Sequence, residues 1–233
     1  THLRAYLPPD ATLRENPHAK ETVHLEGLKP NATFFYFATN SKDFTLPTRH
    51  FADAYDKLQN SGVASTDSTG KLEINIDCPQ IYLAEDGQVY SRHFHIIYWL
   101  GVGGSNSKGK WDTRIYTHQI FCNVDKAFVS SVIANPKLRK NVIIIDALDE
   151  SYYSKEHILG AINLPASKKW SLAEVLEKLP KGTGATTPMI LYCYSPECNA
   201  AENLMRQLNN LGFYNTFHYK GGITDWNGDI ERR

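Results

Sequence analysis

The sequence lacks net charge: 25 lysine and arginine residues are matched by 25 aspartate and glutamate. No global field therefore draws the chain to nucleic acid or to an anionic membrane, and small molecules or other proteins are the expected partners. No apolar run approaches the roughly 20 residues needed to cross a bilayer, so no membrane-spanning helix is expected. Cysteine is scarce. The four present, Cys78, Cys122, Cys193 and Cys198, are too few and too scattered for a disulfide-stapled scaffold, and each is read on its own. An initiating methionine is also missing. The chain opens on Thr1, which reads as a processed or trimmed product from which any targeting segment has gone, so the compartment stays open. Asn31-Ala32-Thr33 has the form of a glycosylation sequon, the one hint of export.

What is present has two rhythms. A length of 233 residues suits two domains, each able to bury its own core. Residues 1–20, rich in proline and charge, read as a surface arm. From 21 to about 125 come short β-rich runs (33–38, 71–76, 93–100, 114–121) between clusters of Asn, Asp, Gly and Ser, the pattern of an all-β sandwich. From 126 onward strand and helix alternate: 142–145 is an apolar strand, 171–179 an amphipathic helix, 189–192 a strand and 200–211 a helix. That alternation predicts an α/β domain with a parallel sheet.

In the second half the chemistry-bearing residues come in order: Val142-Ile143-Ile144-Ile145-Asp146, Glu156-His157-Ile158-Leu159-Gly160-Ala161-Ile162-Asn163, Leu191-Tyr192-Cys193, and Lys220-Gly221-Gly222 before Trp226. This resembles the rhodanese-like domain. The resemblance implies that Cys193 carries sulfane sulfur as a persulfide. A cysteine between a buried parallel strand and a helix also sits where free amides and the helix dipole favour an anion, so a stabilised thiolate is expected. Two features depart from the family. The loop Cys193-Tyr194-Ser195-Pro196-Glu197-Cys198-Asn199 has an acid and no base, and Asp146 is followed by Ala147 rather than arginine. Thiosulfate is thus a poor expected donor, and a neutral persulfide or a partner protein's disulfide a better one. Cys198 supplies a second thiol able to resolve an intermediate on Cys193.

The first half carries a second set: Thr66-Asp67 with Gly70, Pro79-Gln80-Ile81-Tyr82, His93-Phe94-His95, and Tyr116-Thr117-His118-Gln119 with Asp125 beyond. Their order is similar to that of the intradiol ring-cleavage dioxygenases. On a strand, residues two apart share a face, so His93 and His95 can aim at one ion. Two imidazoles with two phenolic oxygens suit ferric iron, and the resemblance implies Tyr55, Tyr82, His93 and His95 as ligands. Gln119 and Arg92 are expected one step out from the metal, Arg92 pointing away from it. The arginine and proline that the family sets before its His-x-His are absent, and the interval from Tyr82 to His93 is short.

Two functions follow. In one, the protein is an enzyme with sulfur or disulfide chemistry at Cys193 and a non-haem iron in the sandwich, acting on a small-molecule sulfur donor or a partner protein. In the alternative, two recruited enzyme folds have lost their substrate-handling residues and serve as a component of a larger assembly.

Overall fold

A computed structural model describes residues 3–40, 44, 48–49, 51–101 and 109–232. The chain divides into two compact units, Thr1–Asp43 with Thr48–Ile120, and Phe44–Pro47 with Phe121–Arg233.

The first unit is mostly β. Its strands are β1 (Glu21–Leu25), β2 (Thr33–Ala38), β3 (Thr48–Arg49), β4 (Ser61–Ser65), β5 (Leu72–Ile76), β6 (Tyr82–Leu83), β7 (Val89–Tyr90), β8 (His93–Tyr98) and β9 (Tyr116–Gln119), and among the described residues it has a short α-helix, α1 (Phe51–Tyr55), and two 3-10 turns, Leu3–Tyr6 and Asp56–Leu58. The main sheet has the order β4-β2-β8-β9 and is antiparallel throughout. Strands β1 and β5 form a two-stranded sheet, and β3, β6 and β7 a three-stranded one.

Strand β2, Thr-Phe-Phe-Tyr-Phe-Ala, explains how the layers hold. Aromatic residues suit a pleated surface, and alternation sends Phe34, Tyr36 and Ala38 to one side and Phe35 and Phe37 to the other. Phe34, Tyr36 and Ala38 meet Leu72, Ile74 and Ile76 of β5 together with Phe94 and Ile96. Phe35 and Phe37 meet Tyr55, Leu58, Tyr82 and Trp111. Both faces of the strand are therefore buried.

The described part of the first twenty residues, from Leu3, is more than a surface arm. Arg14 and Val63 exchange backbone hydrogen bonds of 3.1 and 2.9 Å, and Trp111 Nε1 donates to the Pro8 carbonyl at 2.7 Å. Asn16 is buried and donates to Asn60 Oδ1 at 2.7 Å.

The second unit contains strands β10 (Cys122–Val124), β11 (Ile143–Asp146), β12 (His157–Ile158), β13 (Ile162–Asn163), β14 (Met189–Tyr192), β15 (Thr216–Tyr219) and β16 (Ile230–Glu231). Its helices are α2 (Lys126–Ala134), α3 (Pro136–Asn141), α4 (Glu150–Tyr153), α5 (Leu172–Lys178), α6 (Ala200–Asn210) and α7 (Gly222–Asp225). The central sheet runs β10-β15-β14-β11-β13 and every pairing in it is parallel. The junction falls between 120 and 121, earlier than the sequence rhythm suggests, because β10 pairs with β15 as an edge of this sheet. Three residues, one of them Asn, are too short a run to show periodicity.

Local chemistry sets the helix boundaries. Asp125 caps α2 by accepting from Phe128 N at 2.8 Å. Asn135 ends α2 and caps α3, whose first residue is Pro136, a position where a missing N–H costs nothing. Ser171 and Glu174 form a reciprocal capping box at α5. Helix α6 buries Ala201, Leu204, Met205 and Leu208, the i, i+3, i+4, i+7 stripe of a helix lying on a sheet. It packs on Leu191, Met189 and Ile145, and each such side chain contributes about 1.5–3 kcal/mol by burial.

Candidate functional site

In the first unit, β8 directs His93 and His95 to the same face, where they meet Tyr55 from the end of α1. The Tyr55 hydroxyl lies 3.1 Å from His93 Nε2 and 2.9 Å from His95 Nε2. Tyr82 completes the group: its ring centroid is 5.9 Å from that of Tyr55 and 5.8 Å from that of His93, and the two phenols share a hydrogen bond. All four residues named from the sequence are thus brought together.

The outer ring nitrogens are held from behind. His93 Nδ1 is 2.6 Å from the Ser91 carbonyl. A carbonyl only accepts, so Nδ1 carries the proton and Nε2 presents its lone pair to the cluster. His95 Nδ1 is 2.9 Å from Thr117 Oγ1. Burial pushes both imidazoles below their ordinary value, His95 to about 3 with His93 and His118 adding to the effect. Both are therefore neutral at pH 7, the form that ligates metals. Burial raises both phenols, with Tyr82 adding to the effect at Tyr55 and Tyr90 at Tyr82, so without a cation they stay protonated.

The neighbouring residues differ in part from expectation. Arg92 is buried and donates to the Pro79 carbonyl, so it points away from the cluster, and its work is to hold the segment that leads into Tyr82. Gln119 stands opposite His93 in the β8–β9 register. The residue that contacts the His95 ring from β9 is Thr117, which sequence reasoning missed. It pairs with His95 in the same register, so strand alternation was the available signal. Immediately after Tyr55 the chain turns through Asp56, Lys57 and Leu58 with φ of 25°, 56° and 57°. Successive left-handed residues that are not glycine cost about 1–2 kcal/mol each, and such strain is characteristic of functional sites.

In the second unit, Cys193 follows β14 and opens the loop to α6, as the motif order predicts. Its environment corrects the expected thiolate. Cys193 is 1% exposed, and its Sγ–H donates to the Cys198 carbonyl at 3.0 Å. Burial, reinforced by the Cys198 side chain, pushes the thiol up to about 12, against a smaller downward pull from the amides of Ala201 and Tyr194. Desolvation outweighs the loop amides. Cys198 is partly exposed, and it and Cys193 are the free thiols. Glu197 accepts from Ser195 Oγ at 2.8 Å and is held below the usual carboxylate range first by that contact and further by the nearby Lys220 ammonium, so the loop carries an ionised carboxylate with a lysine facing it.

Residues 131–229 match the family model of the rhodanese-like domain. The rest of that domain's motif serves to hold the loop. Tyr192 donates to Asp146 Oδ2 at 2.9 Å and accepts from Ile158 N at 3.0 Å. Asp146 Oδ1 accepts from Leu148 N at 2.8 Å. Asn163 Nδ2 donates to the Leu148 carbonyl at 2.7 Å, and His157 is fully buried between the Tyr153 carbonyl and Glu231. Gly222 N-terminally closes α7 against the loop at φ +64°, where a Cβ would lie 2.6 Å from the Cys193 carbonyl oxygen. Ile223 N and Thr224 N donate to the Cys193 and Tyr194 carbonyls at 2.9 and 3.0 Å.

Curated relatives match a little over a third of the chain. A Synechocystis protein described as uncharacterized is 33% identical over 85 residues, 36% of this chain and 42% of its own length; the chain thus spans less than half of that relative. A thiosulfate sulfurtransferase, GlpE, of Coxiella burnetii is 28% identical over 88 residues, 38% of this chain and 74% of its own. Among solved structures, a Bacillus halodurans protein is 29% identical, with a TM-score of 0.41 over 48% of this chain and 77% of its own.

Proposed function

We propose that the first unit is a ferric-iron module of the intradiol dioxygenase type, ligated by Tyr55, Tyr82, His93 and His95, fused to a rhodanese-like domain that works by thiol chemistry at Cys193 and Cys198. The observation that carries the metal reading is the single hydroxyl, Tyr55, set 2.9 and 3.1 Å from two imidazole nitrogens. Donors bonded to one ion at about 2.0–2.1 Å stand roughly 3 Å from each other, as these do. The donor set fits the group in charge as well. Two buried neutral phenols and two neutral imidazoles have no counter-charge of their own, and a hard trivalent cation would stabilise both phenolates. Bound there, ferric iron supplies a Lewis-acidic, redox-active centre.

This chain's residues prepare the place. Ser91 and Thr117 fix the two rings, the arrangement by which outer partners orient metal-bound histidines. Arg92 holds the approach to Tyr82. The test is iron content of the purified full chain, with a visible spectrum before and after loading with ferric salt. A coloured ferric tyrosinate with one iron per chain is expected; a colourless, iron-free protein after loading would favour the assembly component instead.

A specific contact supports the second half of the reading. Cys193 donates its thiol proton to the Cys198 carbonyl and interacts with the Cys198 side chain, the juxtaposition that dithiol–disulfide exchange uses. Glu197 and the absence of a basic residue in the loop disfavour thiosulfate, an anion, as the donor.

A further inference from the structure

We infer that Cys198, rather than the motif cysteine Cys193, makes the first covalent contact with substrate, that the substrate is an uncharged disulfide such as one presented by a peptide or protein, and that Cys193 resolves the mixed disulfide. This deepens the thiol-exchange reading above and rests on it.

Access separates the two thiols. Cys193 is 1% exposed and its sulfur is sheathed by the loop it opens, with the Cys198 carbonyl at 3.0 Å and the Ser195 carbonyl at 4.0 Å. An attacking sulfur must reach the substrate S–S bond in line, and a buried thiol engaged as a donor cannot. Cys198 lies on the outer part of the same loop, partly exposed, after the turn closed by its own N–H on the Ser195 carbonyl at 3.0 Å. Protonation agrees with access, since burial keeps Cys193 a thiol at neutral pH.

The surroundings select the substrate. Tyr194, next to Cys193, and Tyr152 on α4 are each 51% exposed, with ring centroids 6.5 Å apart. Two exposed aromatic rings beside the loop suit an apolar or peptidic flank, and Glu197, facing Lys220, leaves the loop without the net positive charge that would hold an anionic substrate.

The steps balance. Cys198 thiolate attacks a disulfide R–S–S–R′, forming Cys198–S–S–R and releasing R′S⁻, which takes up the proton that Cys198 lost. Cys193 then loses its proton and attacks Cys198 Sγ, forming the Cys193–Cys198 disulfide and releasing RS⁻, which takes that proton. The substrate is reduced by two electrons and the thiol pair is oxidised by two.

The test uses the full chain and bis(2-hydroxyethyl) disulfide, a neutral probe, with products located by peptide mass mapping. The wild type should pass to an internal disulfide. Cys193→Ser, and Cys193→Ala as a second replacement at the buried position, should accumulate a mixed disulfide on Cys198, and Cys198→Ser should react at least 10-fold more slowly than wild type. Limiting iodoacetamide on wild-type protein at neutral pH, which needs no variant, should label Cys198 first. A mixed disulfide trapped on Cys193 in Cys198→Ser, formed at the wild-type rate, would overturn the order while leaving thiol exchange intact. No internal disulfide in the wild type and no adduct in any variant would overturn the exchange reading itself.

Discussion

The two units treat their signature residues in opposite ways. In the first, four side chains from α1, β6 and β8 converge until one hydroxyl faces two imidazole nitrogens. In the second, Asp146, His157, Asn163 and Tyr192 are spent on a buried hydrogen-bond frame, and Cys193 lies inside the loop it opens. The difference teaches that residues in a motif order share a fold without necessarily sharing a site. Donors on one strand face are gathered by alternation alone. A nucleophile at a strand end is only as exposed as the loop that follows allows.

The contrast can be broken most directly at the four proposed metal ligands. His95→Ala should lower iron affinity at least 100-fold, because one of four ligands is lost and water enters a buried site; iron content by mass spectrometry checks this, and Cys193→Ser is expected to retain full iron. Retention of iron by both His95→Ala and His93→Ala would remove the metal from the first unit.

The next largest effect is expected in the other unit. Gly222→Ala places a Cβ 2.6 Å from the Cys193 carbonyl oxygen and 2.7 Å from the Tyr194 carbonyl carbon at φ +64°, which should destabilise the chain by about 2–3 kcal/mol. Denaturant unfolding measures the loss, and faster alkylation of Cys193 should accompany it as the loop loosens. Tyr192→Phe should cost about 2 kcal/mol, since it strands the Ile158 N–H and Asp146 Oδ2 without their shared hydroxyl. Iron content should not change in either variant. The smallest expected effect sharpens the first unit: Thr117→Val removes the hydroxyl behind His95 Nδ1 and should weaken iron about 10-fold, the scale seen when an outer partner of a metal-bound histidine is lost. An affinity equal to wild type would show that Thr117 only packs.

Much of the fold was legible residue by residue. Strand 33–38 and strand 189–192 stand where their β-branched, aromatic and aliphatic runs put them. The helix expected over 200–211 is Ala200–Asn210, because its apolar stripe has the helical period. The segment after Asp125 holds two helices, since Asn135-Pro136 ends one and caps the next. Strand β10 and the bridge at Arg14 were not legible, being pairings whose partners lie far along the chain at Phe217 to Tyr219 and Val63.

The sequence by itself determined that His93 and His95 share a face, that Cys193 ends a buried strand, and that its loop carries Glu197 and no base, because strand alternation and loop composition are local. Only the tertiary structure decided that Tyr55 and Tyr82 reach those histidines, that Thr117 stands behind one of them, and that Cys193 is buried while Cys198 is partly exposed. Those outcomes depend on which surfaces pack together and on how much water they exclude. Desolvation of a thiol or an imidazole belongs to its enclosure rather than to its neighbours in sequence, so burial raises the thiol that the sequence motif suggests as a thiolate.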